Sequence, residues 1–294
     1  MTFFFSLLVN GLMIGAIYAL VALGFVLVFK ATGVINFAQG ELVMLGGYIG
    51  VVILDSYGVA PILGIPATLI ALMFVGLLVE RTVLRPMIGS GVLGMIMATI
   101  GLAFLLRGLA PMLFGPSTRN LSLPVPFGAV RVFDVNLSYI TIAGAGAALA
   151  MLVAFTWFFQ RTRTGVALRA VSDDQQAAAS VGISVPSVFA VAMAIAGIAA
   201  GAGGLIWGGL IGVDAYLALV GLRVFPVVIL GGLDSIGGAI VGGLVVGAVE
   251  NVAAGYIDPL VGGGTKDFIP YLLMLVVLMV RPYGLFGREA IEKV

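Results

Sequence analysis

Apolar runs occupy most of the chain, at about 3–29, 40–54, 61–80, 91–114, 139–160, 187–212, 215–231, 236–256 and 268–281. A helix needs roughly 20 apolar residues to cross a hydrocarbon core. The pattern therefore predicts an all-α polytopic membrane protein, one transmembrane domain over 1–294. The runs at 40–54 and 268–281 are short for full spans. Short or glycine-interrupted segments mark helices that start or stop inside the protein. The expectation is eight or nine transmembrane segments, at least two of them discontinuous and glycine-rich.

Two interruptions stand out. "VINFAQGEL", residues 34–42, sets Asn36, Gln39 and Glu41, with Gly33 and Gly40, between two apolar runs. "VILGGLDSIGGAIVGGL", residues 228–244, places Asp234 and Ser235 between glycine pairs. The second reads as a tight turn or as a broken helix whose freed backbone groups face a cavity or protein. Glycines four apart recur at 11/15, 46/50, 197/201, 204/208, 238/242 and 243/247. Such pairs let helix backbones approach closely in a membrane.

Composition agrees. The chain is 62% hydrophobic and 9% charged, whereas a soluble domain is about 45–50% apolar and 25% charged. The net charge of +1 gives no basic patch for nucleic acid. The absence of cysteine and histidine excludes disulfides, thiol catalysis and the usual metal ligand and general base. The N-terminus lacks a basic n-region, and its apolar run is longer than a signal peptide's, so it reads as a retained first helix.

Lysine and arginine in short loops report the cytoplasmic side. Lys30, Arg81, Arg85, Arg161, Arg163, Arg169, Arg281, Arg288 and Lys293 fall on one face if the chain alternates. That face is the expected cytoplasmic one, with the C-terminus inside. The loop 115–138 then lies on the periplasmic face, and its "VRVFDV" alternates as a short strand or hairpin does. The longest cytoplasmic loop, 160–187, has a helical middle. Asp173 and Asp174 suit a helix start, "QQAAAS" forms a helix and Gly182 stops it, giving a docking element.

Glu41, Arg107, Arg223 and Glu250 lie in or at the edges of apolar runs, with Asn251 beside Glu250. Charges at such depth face the bundle interior or water, or tie helices together as Arg–Glu pairs. No P-loop is present, "GGGTKD" having the wrong spacing, and no hydrolase motif is found.

"INFAQGE", the loop "RTRTGVALRAVSDDQQAAASVGISV", the block "VILGGLDSIGGAIVGGLVVGAVEN" and the ending "RPYGLFGREAIEKV" together resemble the LivH-type permeases of branched-chain amino acid ABC importers. The resemblance runs over nearly the whole chain. It implies a non-enzymatic permease subunit of the bacterial inner membrane, embedded in lipid. It also implies a second, LivM-like permease, two cytoplasmic ATPase subunits that bind ATP, and a periplasmic substrate-binding protein. No cofactor of its own is expected. Arg163, Arg169, Asp173, Asp174, Ala178 and Gly182 would form the element that couples to the ATPase. Asn36, Gln39, Glu41, Glu250 and Asn251 would serve the substrate path or gate, with Glu41 alternatively completing a helix start. Urea, amides, aromatic carboxylates or sugars are the alternative cargoes within this family. A stand-alone channel or secondary transporter is the alternative class.

Overall fold

The structure is a computed structural model and describes residues 2–126, 128–132 and 135–287. Its helices are α1 (Thr2–Thr32), α2 (Gln39–Val51), α3 (Pro61–Val79), α4 (Val92–Phe114), α5 (Tyr139–Arg161), α6 (Arg163–Asp173), α7 (Gln175–Ser180), α8 (Val185–Ile211), α9 (Leu219–Gly231), α10 (Ile236–Val261) and α11 (Thr265–Val280). Strands β1 (Ala129–Val132) and β2 (Val135–Ser138) form an antiparallel hairpin in the 115–138 loop, as its alternation predicts.

The expected eight or nine spans are corrected. Among the described residues, six helices are long and apolar enough to cross a membrane: Thr2–Thr32, Pro61–Met87, Val92–Phe114, Tyr139–Arg161, Val185–Ile211 and Ile236–Val261. The other three apolar runs make shorter helices for local reasons. Gln39 and Glu41 occupy the first turn of α2. Asp214 caps a 3₁₀ turn ahead of α9, and Gly232 at φ 105° ends α9. Arg281 closes the 16 residues of α11.

The molecule has two distinct ends. At one, Lys30 donates to the Asp234 carbonyl, Gln175 donates to the Ala31 carbonyl, and the Leu285 amide donates to Leu230. α3 lies antiparallel to α8, Gly76 facing Met193 and Gly197 facing Leu72, which brings Arg81 and Arg85 to this same basic end. Arg288 and Lys293 lie outside the described residues. At the opposite end Asn10 reaches the Asn136 carbonyl of the hairpin, Asp55 accepts from the Ser122 amide, and Arg119 bridges Val213.

α1 runs through the centre. Every residue from Gly15 to Val28 is buried, as befits a helix that is hydrophobic all round. Its most extensive partner is α10. There Gly11 and Gly15 meet Gly243 and Gly247, two of the glycine pairs seen in the sequence. A Cβ on Gly247 would lie 2.5 Å from the Gly11 carbonyl oxygen and 2.5 Å from the Gly15 Cα. The backbones touch directly, which maximises dispersion contact where lipid supplies no hydrophobic drive.

This crossing generates a test. Gly247→Leu should destabilise the protein by about 3 kcal/mol or more through overpacking, read as a lower Tm and aggregation on size exclusion. Gly146→Leu on α5, whose added Cβ meets nothing within 4 Å, should leave both unchanged. Equal behaviour of the two variants would remove the crossing from the account.

Candidate functional site

The first polar interruption folds back into the molecule. After α1 ends at Thr32, Gly33 turns at φ 73° and the chain runs inward as "VINFA". The Asn36 side-chain oxygen accepts the Ala38 amide at 3.1 Å. This local turn sets up α2, whose N-cap is Ala38 with no side-chain cap. The Gln39 side chain packs against Gly24, where a Cβ would clash at 2.2 Å, and its Nε2 donates to the Ala196 carbonyl at 3.2 Å. Gly24 lies eight residues from the end of α1 and Ala196 eleven from the start of α8. At 1.5 Å per residue both stand about 12–17 Å in from the basic end. α2 therefore begins near mid-depth of a ~30 Å hydrocarbon core and runs to the hairpin end.

There α2 crosses α9. A Cβ on Gly40 would lie 2.4 Å from the Ala218 carbonyl oxygen, and one on Gly221 2.5 Å from the Gly40 Cα. Beside the crossing is a cleft of about 30 Å³ bounded by Phe37, Glu41, Arg107, Leu222 and Phe225, room for about two waters. Glu41, its side chain 3% exposed, accepts from Arg107 of α4 at 2.6 Å, while the Arg107 side chain is 37% exposed. The Phe37 amide donates to Thr99 of α4 at 3.4 Å, and the Phe37 and Phe225 rings lie 5.9 Å apart. α4 itself is sparsely buried, with only Met95, Thr99 and Ala110 fully so.

The chemistry of this place is two-signed. A helix start presents unpaired amides and positive partial charge. Arg107 adds a full positive charge and Glu41 a negative one. Asn36 Nδ2, Gln39 Oε1 and Arg107 Nε are buried without a protein partner. Of the three expected residues only Glu41 lines the cleft; Gln39 points away toward Gly24 and Ala196, and Asn36 is buried in the turn ahead of α2.

Glu250 and Asn251 are not part of this cluster. Glu250 sits near the middle of α10, not at its end, and accepts from the Tyr18 hydroxyl at 3.3 Å. Tyr18 in turn stacks on Trp207. Asn251 donates to the Leu7 carbonyl at 2.8 Å. Both therefore tie α10 to α1.

The 160–187 loop forms two helices rather than one. Asp173 ends α6. Asp174 alone caps α7, accepting from the Gln176 and Ala177 amides at 2.8 and 2.9 Å. Gly182 stops the segment at φ 87°. Arg163 opens α6, and Arg169 donates to the Phe159 carbonyl. Ala178 turns inward and is buried in the core, whereas Ala177, Ala179, Ser180, Val181 and Gly182 are exposed. The outward surface is consequently small and smooth, with Val181 as its one large apolar projection. Sequence reasoning missed Phe37, Thr99, Gly221 and Phe225 at the cleft. Each reads as ordinary apolar or small filler until α4 and α9 are packed against α2.

A permease-component family of branched-chain amino acid transport systems matches residues 7–278 of the chain. The high-affinity branched-chain amino acid transport system permease protein LivH of Salmonella typhimurium is 30% identical, covering 99% of this chain and 98% of its own. BraD of Pseudomonas aeruginosa, a permease protein described in the same terms, is 31% identical over 98% and 97% of the two chains. A probable LivH of Methanocaldococcus jannaschii is 28% identical over 92% and 88%. Among solved structures, PsaBC from Streptococcus pneumoniae in complex with Fab covers 93% of this chain at 16% identity and a TM-score of 0.45.

The ion pair gives the test of this geometry. Arg107→Gln leaves the Glu41 carboxylate buried and unpaired, at a cost on the order of 3 kcal/mol, so Tm should fall. Adding Glu41→Gln should recover most of that loss. A double variant no more stable than the single one would show that the two side chains are not coupled.

Proposed function

This chain belongs to the family of permease components of branched-chain amino acid transport systems, and from that premise we propose that it is the membrane-spanning subunit of an ATP-driven importer for branched-chain amino acids. Its cleft at the α2–α9 crossing belongs to the substrate path, and its α7 segment docks on an ATPase. A second, homologous permease, two cytoplasmic ATPases and a periplasmic binding protein complete the importer. It sits in the bacterial inner membrane with the basic end and the C-terminus in the cytoplasm, as loop charge directs.

The observation that carries the reading is the polar helix start at mid-depth beside Glu41 and Arg107. A zwitterionic amino acid has complementary groups. Its carboxylate suits the α2 start and Arg107, and its ammonium suits Glu41. Its aliphatic side chain suits Phe37, Leu222 and Phe225. As the cargo arrives, each end of the ion pair exchanges its partner for one end of the cargo, so no charge is left unpaired in the low-dielectric interior. At about 30 Å³ the cleft is closed to an amino acid, so passage requires α4 to move. Its sparse burial permits that. α4 links to the α2 start through Thr99 and Arg107, so movement of one is felt by the other.

On the cytoplasmic side the exposed small residues of α7 fit closely into a partner groove, with Val181 as the anchor. Asn36 and Gln39 supply neutral amides that contact cargo without trapping it. Glu250 holds the central pair of helices rather than binding cargo.

Two measurements check the reading. Mild solubilisation of native membranes should recover this chain with a second multi-span permease and two P-loop ATPases. Proteoliposomes of that assembly, supplied with the binding protein, should take up labelled leucine only with ATP inside. Recovery of the chain alone even after crosslinking, or uptake without ATP, would overturn it. Gly182→Trp should break the docking fit and strain a left-handed position. It should lower leucine uptake at least about tenfold while the permease stays folded and ATP hydrolysis persists, because ~1.4 kcal/mol of lost coupling already corresponds to tenfold. Normal uptake at normal expression would exclude α7 as the coupling element.

A further inference from the structure

At the basic end a cavity of about 320 Å³ lies among the ends of α1 and α5, the middle of α6 and the start of α10. Lys30, Gln160, Arg169, Asp234, Ser235 and Gly237 line it. It has no part in the α2–α9 crossing or in the α7 surface.

Among the described residues, the lining of the cavity carries two cations, Lys30 and Arg169, against one carboxylate, Asp234. Lys30 is held over it by its 2.8 Å bond to the Asp234 carbonyl, and Arg169 by its bond to Phe159. Ser235 caps α10, accepting the Gly238 amide at 3.0 Å. Gly237 sits in the first turn of that 26-residue helix, where amides have no acceptor within the helix and favour an anion.

An apolar groove of about 460 Å³ continues from the cavity, and Thr156, Gln160 and Ile240 line both. The groove follows one face of α5, residues 149, 152, 153, 156, 157, 160 and 161, the i, i+3, i+4 spacing of a helix stripe. Leu149, Val153 and Trp157 on it are 48%, 70% and 62% exposed. Arg161 and Trp157 stand at its basic end, where tryptophan and arginine sit at a membrane interface. Thr156 Oγ1, at the junction, is buried without a partner.

A cationic polar cavity opening into a lipid-facing apolar groove has the division of a phospholipid. A soluble anion would leave the groove unused, and a neutral lipid would leave the charges unused. We infer that the cavity and groove together bind one anionic phospholipid, its phosphate held by Lys30, Arg169 and the first turn of α10 and one acyl chain laid along α5. Such a headgroup joins α6 to α1 and α10 and steadies the stem from which α7 projects.

The test uses the full chain, delipidated and offered equal amounts of palmitoyl-oleoyl phosphatidylglycerol and the matching phosphatidylcholine in mixed micelles, with retained lipid read by native mass spectrometry. One phosphatidylglycerol per chain should be retained at least about tenfold over phosphatidylcholine, two cations each contributing ~1 kcal/mol at an anionic surface. Lys30→Gln should reduce that preference about fivefold and Lys30→Arg should keep it, with Tm reporting fold. Ile240→Trp fills the junction without changing charge and should expel the same lipid. Millimolar glycerol phosphate should not displace it. Three results would overturn the inference. One is equal retention of the two lipids. Another is displacement by glycerol phosphate, which makes the site a soluble-anion site. The third is a severalfold gain in phosphatidylglycerol on truncation after Gly287, which makes the tail 288–294, with its Glu289 and Glu292 carboxylates, the occupant.

Discussion

A helix that begins inside a membrane needs partners for its first amides, and the rest of this protein is arranged around that need at Gln39, whose own amide meets the Asn36 carbonyl. Each unsatisfied backbone group in hydrocarbon costs several kcal/mol, so the start of α2 must be wrapped by protein. Gly24 makes room for the Gln39 side chain, which reaches the Ala196 carbonyl of α8. Gly40 and Gly221 bring α9 into backbone contact. Glu41 offsets the positive helix end and is itself neutralised by Arg107. Three helices and one ion pair thus converge on a single turn.

The same constraint accounts for the packing elsewhere. α1 can run buried through the centre because glycines on α10 let it come close, and Glu250 can sit near the middle of α10 because Tyr18 of α1 donates to it. Around this rigid pair, α4 is held lightly, by Thr99 and Arg107 as its polar contacts to α2 and the chain before it. A firm α1–α10 pair beside a loosely held α4 is a sensible distribution of stability for a transport subunit, since the parts that move must come from the low-stability end. The proposed lipid would add an anchor at the basic end, under α6.

Much of this was legible from residue order alone. The apolar runs give the helices, "INFAQGE" gives the break, the alternation of "VRVFDV" gives the hairpin, and Asp174 with Gly182 brackets α7. What escaped is what depends on distant packing. Nine runs look alike by hydropathy, yet among the described residues only six make full-length apolar helices; α2, α9 and α11 stop at 13, 13 and 16 residues, bounded by turns such as Gly232 and Gly264 at positive φ. The division of the 160–187 loop into α6 and α7 turns on Asp174 preferring a cap to a helix interior. Glu41 and Arg107 are 66 positions apart, and no local pattern reports their pairing. Ala178 looks available for docking in sequence, but it faces the core because the outward side of a six-residue helix is fixed by how α6 and α8 hold it.

The central claim is that the α2 start lies on the substrate path. The chain has no cysteine, so single cysteines at Asn36 and Gln39 report cleanly. We would measure their reaction with a membrane-permeant thiol reagent in the assembled importer, with and without ATP and vanadate, and with leucine present. The account predicts labelling that changes with nucleotide state and is slowed by leucine. Labelling that is absent, or identical in every state, would place the α2 start away from the path and reduce the Glu41–Arg107 pair to a structural tie.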